Sequence, residues 1–221
     1  MAVSAQHIYD GITEYDLGRM QTCFDMSVRN YRYGDKVCTF GAGSRMVGIL
    51  LSGTASVMHL QPNGTQTMTE YLGPGDMFSE VFFKNAANPE NYSIYCNEDA
   101  RIQFFDFQHV FTPCSNSCSC HSHLIENMVL ILSRKAVQLS ERVEILSRRT
   151  TREKLQSCFN IMAAKNHSDT FTLPFTMSAL AEYLSIDRSA MTREIRKLKE
   201  EGVLDIQKHT VHILEKDWLD A

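Results

Sequence analysis

Two stretches of this 221-residue chain carry residue types at spacings that could do chemistry. The first is Cys114-x3-Cys118-x-Cys120-His121-x-His123, five thiol and imidazole groups within ten residues. Thiolates and imidazoles ligate zinc and iron–sulfur centres, so Cys114, Cys118, Cys120 and His121 are candidate ligands for a metal or cluster that reports redox state. The spacing lacks the paired C-x2-C of structural zinc sites. Two other readings therefore stand beside it: reversible thiol chemistry, and a surface turn that caps the following helix with thiols as small packing residues. The second stretch is Arg188 to Lys199, where Arg188, Arg193, Arg196, Lys197 and Lys199 are opposed only by Glu194. Such a local excess of positive charge suits a phosphate-rich partner, although a merely solvated helix face has the same composition. Catalytic sets are missing from the pattern: there is no Ser/His/Asp arrangement, phosphate loop or His-Glu-x-x-His, and His121-x-His123 falls at a helix start rather than on a strand. No enzyme is expected.

The rest of the composition narrows the setting. Net charge is −4 but unevenly spread: residues 1–147 carry ten Lys/Arg against fifteen Asp/Glu, and residues 148–221 twelve against eleven. With 43% hydrophobic and 22% charged residues, the chain can bury one large core or two modest ones, and two domains are expected. The longest apolar run, Met46 to Leu51, is far short of the ~20 residues a bilayer span needs, and the N-terminus lacks a basic patch followed by an apolar stretch. The expectation is a cytoplasmic protein with no membrane partner. Seven cysteines, an odd number, read as reduced thiols or ligands, with Cys23, Cys38, Cys96 and Cys158 in the core.

Three kinds of element must position these residues. From about Ser27 to Phe107, short β-branched and aromatic runs (Arg45–Leu60, Thr65–Tyr71, Tyr92–Cys96, Arg101–Phe105) alternate with Gly, Pro and Asn, which reads as antiparallel strands of a small roll or sandwich. Asn63-Gly64 predicts a two-residue hairpin turn with positive φ at both positions, and Leu72-Gly73-Pro74-Gly75-Asp76 a second turn. A long helix starts near His121. Ile125, Leu132, Leu139 and Leu146 at heptad d, with Val129, Ala136 and Val143 at a, form a two-stranded dimer seam, while Met128, Leu130 and Ile131 suggest a second apolar face lying on the roll. Finally, a helix over Met177–Leu184, the turn Ser185-Ile186-Asp187 and a helix from Asp187 to near Gly202 make a helix-turn-helix. Leu180, Leu184, Ile186, Met191, Ile195 and Leu198 are its core, with Ala181 small at the crossing. Arg188, Ser189, Thr192 and Arg193 are left on the exposed N-terminal face of the second helix, with Lys197 further along it; an arginine there can bond guanine bidentately. Val203–Ile206 and Val211–Leu214 form a wing whose tip, Lys208 and His209, can meet phosphate.

In this order, with the turn Gly73-Pro74-Gly75-Asp76-Met77-Phe78 in the roll, the chain resembles the cyclic-AMP receptor protein/fumarate-nitrate regulator (CRP/FNR) family of bacterial regulators over nearly its whole length. The resemblance implies an α+β fold: a sensory, cyclic-nucleotide-binding-like β-roll related to cupin jelly rolls (1–120), a dimerisation helix (121–149) and a winged helix-turn-helix (150–221). It implies a homodimer on a roughly palindromic stretch of double-stranded DNA with half-sites about one helical turn (~34 Å) apart, and contact with RNA polymerase. Arg188, Ser189 and Arg193 match the family's base-reading triplet, in which Ser189 departs from the common glutamate, and Ser185 stands where the family has a turn glycine.

The same resemblance locates an effector pocket. Phe78-Ser79-Glu80 matches the Phe-Gly-Glu turn of nucleotide-binding relatives, Glu90-Asn91 the Arg-Ser or Arg-Thr pair that holds the cyclic phosphate, and Leu139-Ser140 a hydroxyl pair facing adenine. A carboxylate at Glu90 puts like charge where an anion would sit, so cyclic AMP is not the expected effector and the small molecule, if there is one, is another.

Overall fold

The strand-like runs of the N-terminal half do pair, and the reason for the unbroken apolar run from Met46 to Leu51 is visible in how they pair. The computed structural model describes residues 8–41, 43–83, 85–111, 120–215 and 217–220. Eight strands, β1 (Ser27–Tyr31), β2 (Lys36–Thr39), β3 (Met46–Ser52), β4 (Ala55–Leu60), β5 (Gln66–Leu72), β6 (Met77–Ser79), β7 (Tyr92–Cys96) and β8 (Ala100–Asp106), form two antiparallel sheets. Their orders are β1-β8-β3-β6 and β2-β7-β4-β5. Side chains alternate across each strand. Leu50, Phe78, Ile102 and Phe104 therefore meet Val57, Leu72 and Ile94 of the other sheet in one core. From the opposite face of the first sheet, Val47, Ile49, Met77 and Phe105 enter a second core. A strand covered on both faces reads as a continuous apolar run, which accounts for Met46 to Leu51.

Local chemistry fixes the corners of this roll. Gly48 is obligatory, because a Cβ there would lie 2.1 Å from the Phe78 ring. Gly53 and Thr54 break the expected Arg45–Leu60 run into β3 and β4, which belong to different sheets. The β4–β5 hairpin turns at Asn63-Gly64 as expected, but only Gly64 of the pair has positive φ, at +83°. Instead of a two-residue turn, Gln61 N donates to Thr65 O at 2.8 Å and Asn63 Oδ1 accepts from Thr65 N at 2.9 Å. In the second turn, Asp76 N donates to Gly73 O and Gly73 N to Asp76 Oδ2, at 3.0 and 2.8 Å.

Helices cover the second core. α1 (Glu14–Cys23) brings Met20, with Phe24 just past its end; α2 (Gln108–Phe111) follows β8 and brings Val110; and α3 (Cys120–Ser147) brings Leu124, Met128 and Ile131. Asn127, buried in α3, donates to the carbonyls of Ile8 and Asp10 and so ties down the segment before α1. The expectation that Leu130 lies on the roll with Met128 and Ile131 is corrected: Leu130 is 47% exposed, because it points away from the stripe that Leu124, Met128 and Ile131 share.

The described residues through Arg134 make one compact unit and those from Lys135 a second. The second contains the end of α3, then α4 (Thr151–Asn166), β9 (Thr170–Thr172), α5 (Met177–Tyr183), α6 (Arg188–Glu200), β10 (Leu204–Gln207), β11 (Thr210–Ile213) and α7 (Asp217–Asp220). Its strands are ordered β10-β11-β9. Neither α4 nor β9 is among the elements expected from sequence. The signal for α4 was present: Thr150 and Glu153 form a reciprocal capping box, and Leu155, Cys158, Phe159 and Ala163 make its buried stripe.

Candidate nucleic-acid interface

The helix-turn-helix is set by three polar residues at its joints. Thr176 caps α5 by accepting from Ala179 N at 3.2 Å. Leu184 ends that helix one residue earlier than the expected boundary, and Ser185 then takes φ +51°, the left-handed conformation that the family's glycine would adopt freely. Asp187 opens α6, its Oδ1 accepting from the backbone N–H groups of Ser189 and Ala190 at 2.8 and 3.0 Å. Leu180, Ala181, Leu184, Met191, Ile195 and Leu198 are buried as expected from their spacing, and Ile186 is half-buried.

Cations from neighbouring helices hold this corner. Arg142, near the end of α3 and only 7% exposed, lies 4.9 Å over the Tyr183 ring and donates through Nε to Tyr183 O at 3.3 Å. The ring face and the carbonyl offset part of the cost of desolvating its charge. Lys154 of α4 donates to Leu184 O at 3.1 Å. Arg152, also of α4, reaches Glu194 and Glu201 at 2.7 Å each, which fixes α6 by both ends of its second half.

What remains outward is the N-terminal face of α6. Arg188, Ser189, Thr192, Arg193 and Lys197 are all exposed. Arg196 pairs with Glu200 at 3.7 Å, Lys197 with Glu194 at 3.8 Å, and Lys199 with Asp205 of the wing at 2.9 Å. Arg188 and Arg193 form no salt bridge among the described residues. The cations of this helix that form no salt bridge thus stand at its N-terminal end, where the Asp187 carboxylate acts on Arg193 electrostatically, and Lys199 is a wing anchor that also donates to Ile206 O at 2.6 Å. The hydrogen bonds from Gln207 and Lys199 hold the Asp205 carboxyl down at about 2. Asp187 is likewise held below the usual carboxylate range, first by the Ser189 hydroxyl and then by the two backbone N–H groups. The wing turns at Lys208, φ +57°, which with His209 is exposed at the tip. His209 also hydrogen-bonds Phe175 O at 3.2 Å through Nδ1; the carbonyl can only accept, so Nδ1 carries the proton.

The expected effector residues fall in both compact units. Phe78 and Ser79 are buried in the roll, where Ser79 Oγ donates to Met46 O at 3.0 Å. Both oxygens of Glu80 are taken by backbone N–H groups, of Gly43 at 2.7 Å and Ser44 at 3.1 Å. Glu90 and Asn91 line a recess of about 140 Å³ with Lys36, Thr39, Ser93 and Tyr95. Nearby in sequence, the Phe83 ring lies 4.6 Å from that of Phe40 and 4.9 Å from that of Tyr92. Leu139 and Ser140 are exposed on α3, in the second compact unit.

Along α3 the expected seam lies bare: Ile125, Val129, Leu132, Ala136, Leu139 and Val143 are exposed and Leu146 is half-buried. Cys114 and Cys118 lie outside the described residues. Cys120 starts α3, and the His121 ring packs 5.0 Å from that of Phe24. Among the described residues no group of three or more His, Cys, Asp or Glu is placed to hold a metal ion. Burial pushes the thiols of Cys38 and Cys158 up to about 12 and that of Cys96 to about 11, so all three stay protonated at neutral pH and behave as packing groups. Cys23 corrects the expectation that all four scattered cysteines are core: it is exposed on the last turn of α1, whose apolar stripe passes through Met20 instead. No helix among the described residues is long and apolar enough to cross a membrane.

Residues 28–116 match the family model of the cyclic nucleotide-binding domain, and residues 143–221 match that of the Crp-like helix-turn-helix domain. The chain belongs to the CRP/FNR family of DNA-binding transcription regulators. It is 23% identical over 199 residues to the transcriptional activator protein FnrL of Cereibacter sphaeroides, covering 86% of this chain and 77% of that one. To the nitrogen fixation regulation protein FixK of Bradyrhizobium diazoefficiens it is 23% identical over 177 residues, 78% of this chain and 71% of that one. Among solved structures, its fold is similar to a CooA mutant from Carboxydothermus hydrogenoformans, with a TM-score of 0.73 at 17% identity over 94% of this chain and 91% of that one. It is also similar to FixK2 from Bradyrhizobium japonicum, with a TM-score of 0.65 at 13% identity over 88% and 96%. The roll of this CRP/FNR chain is therefore the cyclic-nucleotide-binding-like domain, and α5, α6 and the wing are its DNA-binding module.

Proposed function

We propose that two copies of the chain pair along α3 through Ile125, Val129, Leu132, Ala136, Leu139, Val143 and Leu146, and set their two α6 helices in successive major grooves of a roughly palindromic operator. Arg188, Ser189 and Arg193 meet base edges. Thr192 and Lys197 follow along the groove wall, and Lys208 meets phosphate. The observation that carries this reading is the state of Arg188 and Arg193: both are exposed at the N-terminal end of a pinned helix and uncompensated by any salt bridge among the described residues. Bound to this operator in the cytoplasm, the dimer contacts RNA polymerase and answers to an effector other than cyclic AMP. Support for excluding the cyclic phosphate comes from Glu90 beside Asn91 and from Glu80, whose oxygens are already bonded.

The test is binding to a selected operator and to random DNA across a salt series. A DNA complex loses affinity steeply with salt, by a log–log slope set by the phosphates contacted. Arg188→Ala and Arg193→Ala are each expected to weaken operator binding by about 1–3 kcal/mol and relax specificity, whereas Lys208→Ala weakens all sequences alike. Equal losses on operator and random DNA for the arginine variants would remove their base-reading role.

A further inference from the structure

Ser189 occupies one of the three positions proposed above to read bases, and a serine is the least committal residue that can stand there. A hydroxyl has one proton to give and two lone pairs to receive with, and its rotor normally turns to suit either kind of base edge. In this chain the rotor is not at liberty. Ser189 Oγ lies 2.5 Å from Asp187 Oδ1. An ionised carboxylate can only accept, so the proton of that short bond belongs to Ser189 and points back at the helix cap. Two backbone N–H groups bond the same Oδ1 oxygen, so the carboxylate is fixed in place and does not swing to release the hydroxyl. One turn along, Thr192 Oγ1 lies 2.8 Å from Arg188 O, and a carbonyl is again an obligate acceptor. The outward face of α6 therefore segregates its chemistry: two guanidinium groups that only donate, and two hydroxyls that have only lone pairs left to offer.

Resting on the base-reading role proposed for α6, we infer that Ser189 is a one-way reader, which accepts a hydrogen bond from an exocyclic amine of adenine or cytosine in the major groove and rejects guanine and thymine, with Asp187 as the positioning residue that imposes the direction. Guanine O6 and thymine O4 present lone pairs at the place where adenine N6 and cytosine N4 present N–H groups. Facing Ser189, the first pair meets lone pair with lone pair and the second completes a bond. The arginines select the opposite edge, bonding guanine O6 and N7. Each half-site should then hold guanine steps chosen by Arg188 and Arg193, and a neighbouring position restricted to adenine or cytosine on the strand that α6 faces.

Selection from a randomised duplex library, with the full-length protein and its variants, tests this. The wild type is expected to favour adenine and cytosine over guanine and thymine at one half-site position by ~5-fold, the scale of one neutral hydrogen bond. Ser189→Ala identifies the position, by levelling preference there and nowhere else. Asp187→Ser is the decisive variant. Serine still caps a helix, but its hydroxyl can donate as well as accept, so the Ser189 proton is released and the preference should fall below ~2-fold. The guanine steps stay enriched in the same experiment, which shows that α6 still folds and docks. Asp187→Asn, which keeps an acceptor oxygen at the cap, should retain the wild-type preference. Unchanged discrimination in Asp187→Ser, or guanine or thymine favoured by the wild type at the position that Ser189→Ala levels, would overturn the inference. A wild-type protein that enriches no sequence overturns the base-reading function itself, and this inference with it.

Discussion

Ser185 carries a cost in the corner between α5 and α6. Its φ of +51° brings Cβ close to the backbone, at about 1 kcal/mol for a residue other than glycine. Ser185→Gly is expected to raise the stability of the second unit by up to about 1 kcal/mol and to leave DNA affinity unchanged, as read from chemical denaturation and operator titration. A fall in stability would mean that the serine side chain contributes more than its backbone costs. The strain was legible in sequence, since the family pattern puts glycine at this position and the helix-turn-helix spacing fixes which residue must turn. Lys199 was not legible in the same way. Its charge counts toward the basic helix in any composition, and only the return of the wing reveals that Asp205 already pairs with it at 2.9 Å. Glu80 is similar: its neighbours in sequence announce a turn, but the N–H groups of Gly43 and Ser44 that occupy it come from far back in the chain.

At the scale of elements, carboxylates at the helix caps and the wing make the second unit acid-sensitive. Glu153 at the start of α4, Asp187 at the start of α6 and Asp205 in β10 are all held below the usual carboxylate value, Asp205 at about 2. A group depressed in the folded state stabilises it fully above the unfolded pKa, near 4, and loses that contribution as pH falls through the folded value. Stability contributed by these groups should therefore be flat from pH 7 to about 5 and decline between about 4 and 2. Trp218, the single tryptophan, sits in α7 beside α4, where Gln156 bonds its carbonyl, so its fluorescence reports unfolding of this unit. Asp205→Asn should flatten the lower part of the profile; an unaltered profile would show that the wing pair contributes nothing to it. Elements with a strong local signature were readable in advance: α5, α6 and the wing fall within a residue or so of their expected ends. The unexpected β9 is only Thr170–Thr172, and such a strand exists only because β11 is there to pair with it. Arg45–Leu60 stands as a single run in the sequence, and the break at Gly53 becomes visible only when β3 and β4 go to different sheets.

For the whole molecule, the bare stripe on α3 is the feature that asks for a second copy. Val129 and Val143 are 55% and 65% exposed, and Leu139 is 47% exposed, in a helix whose other face is already buried against the roll over its first turns. Leu139→Glu is expected to yield a monomer at micromolar concentration in sedimentation, with operator affinity lost by far more than one half-site contact would explain; a dimer that persists would move the interface elsewhere. Heptad spacing made this stripe legible in sequence, whereas the contents of the roll were not, since the meeting of Phe40, Phe83 and Tyr92 is a matter of tertiary packing. The end of α3 also touches the helix-turn-helix. Arg142 belongs to the same helix as Leu139 and grips Tyr183 O, at the corner from which α6 departs. Within the second unit, then, the end of α3 cannot roll about its own axis without carrying that corner with it or giving up the grip on Tyr183.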